Sequence, residues 1–147
     1  MPEFRFRLEK LLRLRQGARD QCRLRLADAQ RADEKLKNQL AGLGKQQERL
    51  QDQRRQAAGP GAVDLDRLVE ADRYAAVLRG DETELQRQRE TLAAEIRTRR
   101  DTLLQADRDA RTLEKLRERQ QQRHRQEEQR RESKQLDERG MYSSRSA

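Results

Sequence analysis

The sequence predicts an all-α fold: a single long antiparallel two-helix coiled-coil hairpin with an overhanging C-terminal helix. Three observations support it. Charged residues make up 42% of the 147 residues and hydrophobic ones only 32%, which is too little apolar material for a compact globular core. The apolar residues nevertheless recur at alternating steps of four and three, the heptad period of a coiled coil. One Gly-Pro-Gly cluster at residues 59–61 interrupts this pattern.

The first predicted arm spans residues 3–58. Its seam, the row of heptad positions that faces the other arm, runs from Leu8 to Ala57, and ten of its fifteen positions are apolar or Cys. Such persistence argues against disorder, which low hydrophobicity and high charge would otherwise suggest. The tip at residues 59–62 follows, where two glycines around Pro60 break the helix and allow a tight connection.

The second predicted arm spans residues 63–117, and Asp64 or Asp66 could cap its first turn. Its seam uses the same steps and stops near residue 116. Residues 118–139 are rich in Arg, Gln and Glu, which favour helix, so we expect them to form the overhanging helix. The hairpin therefore occupies residues 1–139, and we expect a disordered tail at 140–147.

An antiparallel hairpin explains the polar seam positions better than a parallel dimer does. Folding the chain at Pro60 brings Leu36 opposite Leu85, and Asp33 falls opposite Arg89. A polar pair of this kind can help to fix the register of two helices. A parallel homodimer would instead place each seam arginine against its own copy. We therefore expect a monomeric hairpin.

The net charge of +8 is unevenly distributed. Residues 1–25 hold eight basic and three acidic groups, and residues 96–117 hold seven and four. These two stretches meet at the open end of the predicted hairpin. Residues 26–95 hold twelve basic and fourteen acidic groups. A basic end on an otherwise balanced molecule predicts an acidic partner there.

Residue patterns for catalysis are missing. His124, the sole histidine, lies in a run of Arg and Gln without metal-ligand spacing, and a solvent-facing role is favoured. Cys22, the sole cysteine, is read as a small seam residue rather than a reactive thiol. No glycine-rich phosphate loop occurs. We therefore predict no enzyme activity, catalytic residues, cofactor, metal site or small-molecule substrate. Nucleic-acid binding is disfavoured because acidic residues interleave with the basic ones and aromatic residues are few.

Several apolar residues lie off the seam. Phe4 and Phe6 either seal the last turns of the seam or contact a partner. Tyr74 and Val77 either pack beside the seam or form an exposed docking patch. No apolar run approaches the length of a membrane span, and charges throughout the N-terminus exclude a secretory signal, so a soluble chain without membrane insertion is expected.

Both ends of the chain carry recognisable residue patterns. The N-terminus has a Phe-x-Phe-x-Leu pattern at residues 4–8 and a Leu-Leu-x-Leu-Arg pattern at residues 11–15. Near the C-terminus are the Leu-Glu-Lys-Leu-Arg-Glu-Arg run of residues 113–119 and the acidic and basic residues of 127–138. With the length and the hairpin pattern, these residues resemble the FliJ family of the flagellar export apparatus over about residues 3–139.

The resemblance implies a non-enzymatic stalk or adaptor of flagellar type III protein export. FliJ-like proteins dock into the export ATPase ring, whose regulator is a further implied partner. They also link the ring to the membrane export gate protein and handle export chaperones. The implied location is cytoplasmic and peripheral to the inner-membrane export apparatus. Alternatives are the stalk of a virulence-type III secretion system, a generic coiled-coil scaffold, or a basic nucleic-acid-binding coiled coil.

The family's likeness to the central stalk of rotary ATPases suggests which surfaces meet these partners. The residues implied at the ATPase end are Phe4, Arg5, Phe6, Arg7, Leu8, Leu116 and Arg117. Tyr74 and Val77, in the half of the hairpin that holds the tip, are implied for the gate.

Overall fold

The protein forms two long α-helices that pack against each other. The computed structural model describes residues 3–145, which contain α1 (Glu9–Ala57), α2 (Leu65–Arg145) and no strand. The helices run antiparallel: Glu9, at the start of α1, pairs with Arg117, and Arg54, near its end, pairs with Asp72. The predicted all-α helical hairpin is therefore confirmed.

The chain before α1 is not helical, although the first predicted arm begins at residue 3. The backbone N–H of Glu9 donates to the carbonyl of Phe6 at 3.2 Å, and α1 begins there. Phe4 is half-buried and Phe6 buried, whereas Arg5 and Arg7 are exposed. Residues two apart share a face in an extended chain but lie on nearly opposite sides of a helix. The alternation of Phe and Arg therefore favours the extended form.

The connection between the helices runs from residue 58 to residue 64, which is longer than the predicted tip at 59–62. Gly61 has φ of 141°, in the region that glycine adopts more readily than other residues. The carboxylate of Asp64 accepts the backbone N–H of Arg67 at 3.3 Å. Asp64 rather than Asp66 is therefore the N-cap of α2.

Two compact units make up the chain. The first, the tip unit, comprises Arg23–Thr102 and has Leu43, Leu50 and Leu78 as its core cluster. The partly buried residues packed on this cluster are Ala71, Ala75 and Leu85. All six are predicted seam positions. The heptad pattern thus identifies the residues whose burial joins the two helices in this unit.

The second unit, the terminal unit, comprises Met1–Cys22 and Leu103–Ala147. Its buried side chains are those of Phe6, Leu12 and Ala110. Leu12 is 1% exposed and Ala110 is 0% exposed. One large and one small seam residue therefore form the most deeply buried part of this unit. Phe6 lies before α1 and still belongs to the core.

The end of α2 differs from the prediction in two respects. Helix continues to Arg145, whereas a disordered tail was predicted from residue 140; residues 146–147 lie outside the described residues. Side-chain hydroxyls of Ser143 and Ser144 bond to backbone carbonyls one turn earlier. Residues 129–145 are all exposed, so the uncovered part of α2 begins later than the predicted residue 118. The N-terminal segment accounts for this shift, as described below.

Candidate partner-binding surfaces

Residues 3–8, here called the N-terminal strap, lie along α2 in the terminal unit. The Phe4 ring is 5.7 Å from the His124 ring, centroid to centroid, with 46° between the ring planes. Nε2 of His124 is 3.2 Å from Oε1 of Glu128. Gln121, His124 and Glu128 are half-buried on a stretch of α2 whose other residues are exposed. Their spacing of three and four places them on one stripe of the helix.

The strap separates the predicted ATPase-end residues into two groups. Arg5 and Arg7 are exposed, and neither has an ion-pair partner within the part of the chain that the structure describes. Phe6 is only 8% exposed, so its ring is not on the surface here, and its role as a partner contact stays a prediction. Its side chain belongs to the core because the extended strap directs it inward.

The remaining residues of this predicted set lie where α1 begins and beside it on α2. Leu8 and Leu116 are half-buried. Arg117 pairs with Glu9, with its Nε 3.4 Å from a carboxylate oxygen. Because that carboxylate offsets its charge, we expect Arg117 to attract an acidic partner less strongly than Arg5 or Arg7 does.

A polar cluster inside the terminal unit was not predicted. A terminal nitrogen of Arg19 lies 3.5 Å from Asp107 and 3.1 Å from Glu114, and Gln16 donates to Glu114 at 3.1 Å. Asp107 also pairs with Arg111 at 2.9 Å. The Arg19 side chain is 16% exposed, so its guanidinium is mostly withdrawn from water. These ion pairs could have been predicted from the sequence, because acidic residues of α2 lie close to the residues predicted to face Arg19.

These pairs change where the free positive charge of the terminal unit lies. The arginines at the seam and its edge are compensated by carboxylates of α2. The basic residues of α2 beyond Arg117 have no ion-pair partner among the described contacts; they are Arg119, Arg123, Arg125, Arg130, Arg131, Lys134, Arg139 and Arg145. Exposed basic residues without a described ion pair therefore lie on the strap, at Lys10, Arg108 and Lys115, and on the later part of α2, where acidic residues are interspersed among them.

In the tip unit, Asp33 and Arg89 meet across the helices as a polar pair. Nε of Arg89 donates to Oδ1 of Asp33 at 3.0 Å. This hydrogen bond, together with the carboxylate charge, raises the pKa of Arg89 above its ordinary value. The side chains are 38% and 29% exposed, so water screens much of their attraction. The role of the pair in setting the register stays a prediction.

Tyr74 and Val77 present an apolar surface on α2 in the tip unit. Their side chains are 47% and 57% exposed. Val63, Leu65 and Val69, nearer the start of α2, are also exposed. Tyr74 borders a groove between the helices that Leu50 and Ala71 also line. Exposed apolar side chains in such proximity are a common property of protein interaction sites.

Comparison with known proteins identifies the family of this chain. Neither described helix is long and apolar enough to cross a membrane. The model of the FliJ family, described as the flagellar FliJ protein, matches residues 4–147. No curated protein matches the chain, and no solved structure does. The family match begins within the strap and extends over both helices. The chain therefore belongs to the FliJ family, a non-catalytic component of the flagellar protein export apparatus.

Proposed function

We propose that this protein is a non-enzymatic stalk or adaptor of flagellar type III export. It docks to the export ATPase ring and its regulator, and links the ring to the membrane export gate and to export chaperones. Its working location is the cytoplasmic side of the inner membrane, at the export apparatus. One observation supports the proposal beyond family membership: Arg5 and Arg7 are exposed without a described ion pair in the terminal unit, and Tyr74 and Val77 are exposed apolar residues in the tip unit.

The basic surface is the proposed contact with the ATPase ring. Arg5 and Arg7 point outward from the strap and have no carboxylate partner among the described residues. Unpaired arginines can form bidentate bonds to carboxylates and can attract an acidic partner over several ångströms. Leu8, Leu116 and Arg117 lie at the edge of this surface and would contribute contact area more than charge.

The apolar surface around Tyr74 and Val77 is the proposed contact with the gate. Aromatic residues are enriched where protein interfaces are energetically strongest, since one ring buries a large area at small entropic cost. Because Tyr74 borders a groove, a partner side chain could enter beside it. The contact should depend little on salt, because burial of apolar area does not require ion pairing.

The test is a pair of binding titrations with the complete protein. Arg5→Glu with Arg7→Glu should weaken binding to the export ATPase and leave binding to the gate's soluble domain nearly intact. Tyr74→Ser with Val77→Ser should do the reverse. Raising the salt should weaken only the ATPase contact, because exposed charges are screened over about 8 Å at physiological ionic strength.

A matched control reverses two arginines elsewhere. Arg97 and Arg100 are exposed residues of the tip unit without a described ion pair, so Arg97→Glu with Arg100→Glu imposes the same charge change. It should affect ATPase binding much less than the strap variant does. Circular dichroism should show unchanged helix content in each variant. If both test variants weaken the same partner equally, a side-on scaffold replaces the two-surface proposal.

A further inference from the structure

A buried side chain, a ring contact and backbone hydrogen bonds hold the N-terminal strap in place. Phe6 is buried, Phe4 touches the ring of His124, and one backbone hydrogen bond joins the strap to the first residue of α1. Residues 3–6 are not helical, and the carbonyl of Leu8 accepts the N–H of Leu12 at 2.8 Å in the first turn of α1. The strap can therefore leave α2 with the loss of no more than this first turn, as other weakly connected segments of proteins do.

His124 lies at the centre of a half-buried stripe on α2, and the strap contacts this stripe through Phe4. Beyond Arg117, which pairs with the first residue of α1, the half-buried residues of α2 are Gln121, His124 and Glu128. The Glu128 carboxylate contacts Nε2 of His124 and orients the imidazole, leaving the ring beside Phe4. Aromatic pairs with centroids 4.5–7 Å apart attract each other beyond their burial alone. His124, predicted from the sequence to face solvent, therefore has a specific intramolecular contact.

We propose that residues 3–8 are a detachable strap, that His124 is the positioning residue that holds it through Phe4, and that docking regulates the basic surface. With the strap docked, Phe4 and Phe6 face inward and Arg5 and Arg7 are held outward. With the strap detached, the same two arginines are on a flexible segment and must be ordered when they bind. Preorganised contacts bind more tightly because this ordering cost is avoided. The regulatory part rests on the proposed contact with the export ATPase.

The composition of the chain permits a direct test of docking without any partner. Phe4 and Phe6 are the only two phenylalanines. Replacing phenylalanine with fluorophenylalanine during expression therefore yields a protein whose two fluorine NMR signals both report on the strap. Phe4→Leu removes one signal and assigns the pair. In the unmodified sequence both signals should be shifted from the position of the free amino acid.

His124→Ala should move the Phe4 signal toward the free position, with a smaller change at Phe6. His124→Tyr keeps an aromatic ring and should largely restore the shift. The matched control is Gln120→Ala, an exposed position on the same helix, which should change neither signal. The docked strap is refuted if both signals of the wild-type chain already lie at the free position. A role for His124 is refuted if His124→Ala and Gln120→Ala behave alike.

The regulatory part needs one further measurement, titration of the export ATPase with the same variants. His124→Ala should weaken binding about three- to tenfold, and His124→Tyr should recover most of the loss. Unchanged affinity in a variant whose strap is released would overturn the regulation while leaving the strap in place. Absence of ATPase binding by the wild-type protein would instead refute the proposed function, and the fluorine spectra would still decide whether the strap docks.

Discussion

Truncating Leu78 should be among the most damaging single changes in the tip unit. Its side chain is 2% exposed and lies in the core cluster with Leu43 and Leu50. Leu→Ala changes in protein cores cost about 2–5 kcal/mol, and the cost is smaller where neighbours can close the cavity. A core made by only two helices can partly close, so we expect about 2–3 kcal/mol. For a chain of this size that corresponds to a fall in Tm of about 4–12 °C.

The assay is urea and thermal unfolding followed by circular dichroism at the helical band. The adjacent residue provides a control: Val77 is 57% exposed, and Val77→Ala should change the free energy of unfolding by about 0.5 kcal/mol or less. The two substitutions remove similar groups one residue apart on the same helix. If Val77→Ala costs as much as Leu78→Ala, the helix does not bury the face that the structure indicates.

Three further predictions concern the hairpin. A double-mutant cycle on Asp33 and Arg89 should give a coupling of about 0.5–1 kcal/mol, because the pair is partly exposed; zero coupling would show that they do not interact. Gly61→Ala should destabilise the protein by about 1 kcal/mol or more, since φ is 141°, and Gly17→Ala, with open space around a Cβ, should stabilise it by about 0.5–1 kcal/mol. Equal effects of the two in chemical denaturation would contradict this. Sedimentation should give a monomer of 17.4 kDa at all concentrations, and a mass that doubles would contradict the monomeric hairpin.

The heptad pattern predicted most of the fold because the residues at its seam positions are the ones that become buried between the two helices. Leu43, Leu50 and Leu78 were all seam positions, and all are core residues. The pattern also predicted that Asp33 and Arg89 would face each other, and the structure brings them together. Such positions can be inferred from one sequence because helix geometry alone decides which residues share a face.

The heptad pattern could not predict the strap. The apolar residues of the strap recur every two positions, whereas those of the seam recur on average every three and a half. The predicted first arm began at residue 3 and so included Phe4 and Phe6 in a helix, whereas their alternation with arginine is the pattern of an extended segment. The strap in turn accounts for the half-buried His124. Contacts between a non-helical segment and a distant part of the chain leave no periodic signal, so this part of the candidate site required the structure.

The uncovered end of α2 has a thermodynamic consequence. Residues 129–145 are helical, yet every side chain among them is exposed. Their helicity therefore rests on local propensity and on continuity with the covered helix, as in an isolated peptide. On warming, this stretch should lose helix gradually from its C-terminal end, while the packed helices melt in a cooperative step. Before the main transition, the helical circular dichroism signal and the heat capacity should therefore change steadily with temperature. This slope should disappear when the chain is shortened to residue 128.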